Sequence, residues 1–151
     1  MNDMDLEQAI SIAAQAHRGQ RDRAGRPYIL HPLRMMLAAD GDDQRIVAVL
    51  HDVVEDSDWT IDKLRAAGLD LRLAQAVDAL TRRKDEDYFD FVDRAGRNVL
   101  ARAVKILDLC DNSDTARLKN AGPEDQERLE KYGKAMRRLA QSQPPPPERC
   151  H

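Results

Sequence analysis

Two histidines and two aspartates carry the chemistry this sequence offers: His31, His51, Asp52 and Asp108. His51 and Asp52 are adjacent, inside the run Ile46-Val47-Ala48-Val49-Leu50-His51-Asp52-Val53-Val54-Glu55-Asp56. The run contains no Gly or Pro, and its length and apolar spacing predict about three turns of helix. At i,i+4 spacing His51 stands beside Glu55 and Asp52 beside Asp56, with Val47 and Ala48 one turn behind. The imidazole and the carboxylate thus emerge from a face with the character of a core. A buried carboxylate there must be paired, hydrogen-bonded or bound to a metal. Taken alone, the pair reads more simply as a satisfied core histidine with a solvated Asp56. Candidates elsewhere in the chain weaken that simpler reading.

His31 precedes Pro32 and follows the apolar Ile29 and Leu30. A residue before proline is held extended, and proline suits the first position of a helix, so His31 is expected at a helix mouth with a fixed direction. Asp108 lies four residues after Val104, on or beside an apolar stripe of Leu100, Ala103, Val104 and Leu107, with Asn112 one turn later. Such stripes rarely carry an aspartate without a partner, although a solvent-facing helix-end aspartate remains open. Two imidazoles and two carboxylates suit a divalent first-row ion such as Mn, Fe, Ni or Zn. No cysteine joins them, which argues against a structural zinc site. Four protein ligands on a six-coordinate ion leave room for water and a substrate oxygen, and such an ion activates water and polarises a phosphoryl group. Glu55 and Asp56 are placed to orient or deprotonate that water. The arginines at 21, 23 and 26 and the step Arg82-Arg83-Lys84 supply charge for phosphates. The residues therefore point to a metal-dependent phosphoesterase and leave its substrate open.

The elements that must position these residues are helical. The chain has 151 residues, 34% charged and 4% aromatic, with seven glycines. That composition favours one all-α domain cored by Leu, Ile, Val and Ala. Helix is expected from Leu6 to His17, from Leu33 to Ala39, through the His51 run, after Thr60 as a cap until Gly68, and over Leu69 to Leu80. Further helices are expected from Tyr88 to Gly96, Val99 to Leu109 and Gln126 to Ala140. His17 reads as packing at a helix end. Residues 18–30 form a basic loop and Asp40-Gly41-Asp42 a turn. We expect a domain over 1–140 and a polar, Pro-rich tail over 141–151. The net charge of −3 argues against a general nucleic-acid binder. No apolar run reaches the roughly 18 residues of a membrane span, and the acidic N-terminus is not a signal peptide. Cys110 and Cys150 form no disulfide framework. A cytoplasmic protein is expected.

The spaced pattern His31 … His51-Asp52 … Asp108 resembles that of HD-domain metal phosphohydrolases. More closely, four blocks resemble the hydrolase domain of the RelA/SpoT-type alarmone enzymes, which also occurs as stand-alone small alarmone hydrolases. The blocks are Ala16-His17-Arg18-Gly19-Gln20, Gly25-Arg26-Pro27-Tyr28-Ile29-Leu30-His31-Pro32, His51-Asp52-Val53-Val54-Glu55-Asp56, and Val104-Lys105-Ile106-Leu107-Asp108 with Asn112. The resemblance runs from residue 9 to about 118 and is to the stand-alone form. It implies an all-helical HD-domain bundle that uses Mn²⁺ to remove the 3′-pyrophosphate of guanosine tetra- or pentaphosphate, (p)ppGpp. It implies metal ligation by His31, His51, Asp52 and Asp108, catalysis by Glu55 and Asp56, and substrate contacts from Arg23, Asn112, Thr115 and Leu118. A nucleotide such as ppGpp is then the partner, with no nucleic acid and no membrane. Asp22-Arg23 stands where the family usually has Arg-Lys, whose first residue commonly stacks on guanine. Asp111-Asn112-Ser113-Asp114-Thr115 stands where it has His-Asn-Met-Arg-Thr. Weaker discrimination of the base is expected from these two changes. An HD phosphohydrolase acting on another phosphorylated metabolite, and an inactive alarmone-binding module, are the alternatives.

Overall fold

The run Ile46-Val47-Ala48-Val49-Leu50 has no polar side chain, and none of the five is more than 6% exposed. A helix apolar on every side must be surrounded by other elements. In the computed structural model, which describes residues 3–114 and 122–142, that helix is α3 (Gly41–Leu50). It is packed by α1 (Leu6–Ala16), α2 (Leu30–Ala38), α6 (Leu71–Ala79) and α8 (Val99–Asn112). Four shorter or outer pieces complete the order: α4 (Val53–Asp56), α5 (Ile61–Ala66), α7 (Tyr88–Gly96) and α9 (Pro123–Gln141). Among the described residues there is no strand; the β pairing is limited to one isolated antiparallel bridge, Arg21 to Pro27. Among the described residues, no helix is long and apolar enough to cross a membrane.

Helix starts follow from local chemistry. Asp5, Thr60, Asp70, Asp87 and Asn98 each accept a backbone N–H of the following first turn, satisfying donors that have no partner inside the helix. A second small core joins α7, α8 and α9 through Val92, Leu109, Ala135 and Leu139. Gly96 permits that junction: a Cβ there would stand 2.7 Å from Ser142 Oγ.

Several boundaries differ from expectation. Helix α2 begins at Leu30, not at Leu33, with Ile29 already in αR geometry, so His31 lies inside its first turn rather than extended ahead of it, and α8 runs on past Leu109 to Asn112. The His51 run is two helices: α3 ends at Leu50, and α4 begins at Val53. His51 Nδ1 takes the Ala48 carbonyl at 2.7 Å, and Asp52 sits at φ −108°, ψ 1°, outside helical geometry. The expected turn at Asp40-Gly41-Asp42 is already the start of α3, made possible by Gly41 at φ +84°. Helix α9 begins at Pro123, three residues before the expected Gln126, because proline fits a first helical turn. The expected tail lies, from residue 143 on, outside the described residues.

Candidate metal centre and active site

The break after α3 places His51 at the middle of the molecule. His31 comes from the first turn of α2, and Asp108 from the inner face of α8. All three are buried, and one ligand atom from each lies within 4.8 Å of the other two. His31 Nε2 is 2.9 Å from Asp108 Oδ1, and His51 Nε2 is 3.6 Å from the same oxygen. Asp52 stands at the edge of this set: its Oδ2 is 3.0 Å from His51 Nε2 and accepts a short hydrogen bond from the Tyr28 hydroxyl. Of the four ligands expected from sequence, three form the mutual cluster and the fourth adjoins it.

The tautomers suit a cation. A carbonyl only accepts, so His51 Nδ1 carries the proton in its bond to Ala48 O and Nε2 turns its lone pair inward. That Nε2 is buried with no hydrogen-bond partner. Likewise His31 Nδ1 is 2.6 Å from Asp111 Oδ2, which leaves its Nε2 facing Asp108. Arg34 holds Asp111 in turn, with Nε to Oδ1 at 2.8 Å and Nη2 to Oδ2 at 3.0 Å. A carboxylate behind a ligating histidine fixes the ring and raises its basicity. Burial works against a charged imidazole at His51, yet the charges of Asp52 and Asp108 outweigh it and raise its pKa well above the usual value. Burial likewise opposes charge on His31, and its hydrogen bonds to Asp108 and Asp111 overcome it. The carboxylates demand positive charge between them, and a divalent ion meets the same demand as the protons. The donor set of two nitrogens and carboxylate oxygens fits such an ion.

Lys105 and Asn112 complete the setting of Asp108. Lys105 Nζ donates to Oδ2 at 2.8 Å and Asn112 Nδ2 to Oδ1 at 3.0 Å. Burial disfavours charge on Asp108, but Lys105 and the two histidines hold its carboxyl well below the usual range.

Two cavities flank the centre, with Asn112 and Tyr132 common to both walls. The smaller, about 240 Å³, contains His51, Asp52, Glu55 and Asp108. Glu55 accepts the backbone N–H of Arg82 there; burial raises its pKa in spite of that bond. Asp56 faces elsewhere. Its Oδ2 is 4.0 Å from His17 Nδ1, its carbonyl accepts from Gln20 Nε2 at 3.0 Å, and burial and then the charge of Asp52 raise its pKa. His17 packs as expected at the end of α1, bonded to Gln20 at 2.8 Å and against Tyr28 at 4.9 Å between ring centres.

The larger cavity, about 380 Å³, is lined by Arg23, His31, Asn112 and residues of α9. Arg23 is tied across it to Asp125, whose Oδ2 also accepts from Gly122 N at 2.9 Å. Asp22 is folded into its own loop: Oδ1 accepts the backbone N–H of Ala24 and of Arg26, both at 2.9 Å. Thr115 and Leu118 lie outside the described residues. Sequence reasoning missed Tyr28, Lys105, Asp125, Lys131 and Tyr132 as wall residues. Only Lys105 left a signal, a lysine in an apolar helix three residues before Asp108.

The described helices form a bundle with a buried His-His-Asp cluster at its centre. The fold matches a solved structure described as a metazoan orthologue of SpoT that hydrolyses ppGpp, with a TM-score of 0.72 and 21% identity over 94% of this chain and 86% of that one. No protein-family model matches the chain. A guanosine-3′,5′-bis(diphosphate) 3′-pyrophosphohydrolase of Aquifex aeolicus (strain VF5) is 28% identical over 123 residues, 74% of this chain and 18% of the relative. The MESH1 enzyme of the same name from Danio rerio is 39% identical over 69 residues, 40% of this chain and 38% of that one. A probable GTP pyrophosphokinase of Mycobacterium leprae (strain TN) is 30% identical over 125 residues, 74% of this chain and 16% of the relative. The chain thus spans less than a fifth of the length of the Aquifex and Mycobacterium relatives. It is a homologue of the ppGpp 3′-pyrophosphohydrolases and has their HD-type helical fold.

Proposed function

We propose that this chain hydrolyses the 3′-pyrophosphate of guanosine tetra- or pentaphosphate, releasing pyrophosphate and GDP or GTP, with Mn²⁺ as the bound ion. The observation that carries the reading is the inward-facing Nε2 of His51, which makes no well-formed hydrogen bond although Asp52 lies at 3.0 Å and Asp108 at 3.6 Å, beside cavities that carry basic residues. His31, His51, Asp52 and Asp108 hold the ion, which supplies Lewis acidity toward a phosphoryl oxygen and acidifies water. Glu55 takes the proton from water; its raised pKa brings it nearer neutrality, where a general base is most effective. Asp56 does not line the cavity and acts on Glu55 through its charge, which helps to raise the Glu55 pKa. Arg23, Asn112, Thr115 and Leu118 receive the nucleoside. On this reading 1–140 is the catalytic domain and the enzyme is cytoplasmic.

A second reading, a phosphohydrolase for another nucleotide, is favoured by Asp22 and Asp114 in the wall of the larger cavity, which also carries Arg21, Arg23, Arg34 and Arg128. A substrate panel with added Mn²⁺, scored for pyrophosphate against phosphate, separates the two. The first reading predicts GDP and pyrophosphate from ppGpp. Phosphate released only from other nucleotides would select the second, and tight ppGpp binding without turnover would make the chain a binding module.

A further inference from the structure

The face of Tyr88 gathers three cations, and the metal centre uses only one of them. Lys131 Nζ lies 3.9 Å from the ring centre; Arg82 Cζ and Lys105 Nζ each lie 5.8 Å from it. They come from three separate segments: Lys131 from α9, Lys105 from α8, and Arg82 from the link between α6 and α7. Lys105 is buried and pairs with Asp108. The Arg82 guanidinium donates to the Glu86 carbonyl at 2.9 Å. Among the described residues, no carboxylate pairs with the Arg82 guanidinium or with the Lys131 ammonium. All three cations line the smaller cavity, together with His51, Asp52 and Asp108.

Like charges held this close repel one another, and a cavity with low-dielectric walls focuses their field. Burial pushes the Lys131 pKa down, and Arg82 and Lys105 push it further. The Tyr88 ring offsets part of that cost by holding the ammonium over its face. A group of cations so placed, with two of the three lacking a carboxylate, is stabilised by a multivalent anion entering from solvent.

We propose that Lys131, Arg82 and Lys105 form a diphosphate subsite, in which Lys131 and Arg82 hold the outer phosphoryl group while the inner one meets the metal centre. This rests on the hydrolase reading above. In that reaction water adds its oxygen to the phosphorus attached to the ribose 3′ oxygen. The bond between them breaks, the ribose oxygen leaves with one proton of the water as a hydroxyl, and the diphosphate retains the water oxygen. The subsite makes the enzyme select a 3′-diphosphate over a 3′-monophosphate and holds the pyrophosphate product last.

The test is calorimetric titration of the full chain with inorganic pyrophosphate and with inorganic phosphate, in metal-free buffer because pyrophosphate itself chelates divalent ions. Wild type should bind pyrophosphate at least tenfold more tightly than phosphate. Loss of one charge-assisted contact in Lys131→Ala should weaken pyrophosphate about tenfold and phosphate less, with Lys131→Arg restoring most of it. Arg82→Gln should act in the same direction. Unchanged pyrophosphate affinity in both Lys131→Ala and Arg82→Gln, or equal losses for phosphate and pyrophosphate, overturns the subsite. A separate assay of ppGpp turnover by the metal-loaded wild type distinguishes that failure from failure of the hydrolase reading, since the titration requires no catalysis.

Discussion

The metal centre and the larger cavity beside it are built on opposite principles. The centre uses buried side chains fixed to the ends and inner faces of α2, α3 and α8, with each histidine locked through Nδ1 to a carbonyl or a carboxylate. The cavity shares His31, Arg34, Asp111 and Asn112 of α2 and α8 with the surroundings of the centre, but its far wall is a loop and α9, joined by the Arg23–Asp125 pair across 102 residues of sequence. In the centre, charge is confined by burial and its geometry is over-determined. In the cavity, Arg23 is 46% exposed on its side chain, where water weakens ion pairs. The His-His-Asp cluster is therefore held by buried contacts, while the wall of the larger cavity rests in part on a more exposed ion pair. Substitutions in the two regions should differ in kind: loss of metal or of fold in one, a shift in selectivity in the other.

The largest effect is expected at Asp108. Its replacement by alanine removes a ligand and leaves Lys105 buried without its carboxylate, which should cost about 3–5 kcal/mol of stability together with tight metal binding. Asp52→Ala, at the edge of the cluster, should lose tight metal binding yet keep the helical fold. Metal analysis and thermal melts of the two variants check this; equal destabilisation by both would erase the distinction between cluster and edge. Next comes the acidic pair beside the centre. Glu55→Gln and Asp56→Asn should both keep the metal; Glu55→Gln should lower kcat by about 10²–10⁴-fold and Asp56→Asn by less. A base must be deprotonated, so the rate should rise with pH through the elevated pKa of Glu55, and that acid limb should disappear from the residual rate of Glu55→Gln. Near wild-type rates in both variants would assign the proton to another group.

How much of this the sequence revealed follows the same division. The His-Asp motif, the apolar α3 and the polar caps are local patterns, so the helices and the ligand candidates could be read from spacing, while the HD-type bundle came from the family resemblance. The break at His51 could not, because it depends on a side chain capturing the Ala48 carbonyl within a run whose apolar pattern continues on both sides. The cavity walls could not either: Arg23–Asp125, Arg34–Asp111 and the cations around Tyr88 join residues far apart in the chain, and nothing in their local sequence announces the partner. Asp111 shows the difference. In sequence it is a departure from a family pattern near the nucleoside pocket; in the fold it is the carboxylate behind His31.

Smaller effects test that middle ground. Asp111→Asn keeps a hydrogen-bonding side chain and removes the charge behind His31, so metal affinity should fall about 10–100-fold with little change in the melting of the metal-free chain. Chelator competition reads the affinity, and an unchanged value would reduce Asp111 to a cavity wall. The smallest change is expected at Asp22. An arginine there can stack on a purine, which should improve binding of ppGpp over its adenosine counterpart ppApp by a few-fold to about thirtyfold. It also removes the acceptor for Ala24 and Arg26, so loop order should fall at the same time. A wild type that already prefers ppGpp by several hundredfold, unchanged by Asp22→Arg, would contradict this account of the loop.

The central claim is that His31, His51 and Asp108 hold the ion on which ppGpp hydrolysis depends, and it is tested most directly by measuring metal content and pyrophosphate release on the same samples. Wild type reloaded with Mn²⁺ should retain about one ion per chain through gel filtration, in keeping with a single ligand cluster, and should release pyrophosphate from ppGpp. His51→Ala should retain none and release none. Hydrolysis at the wild-type rate by metal-free His51→Ala would contradict it.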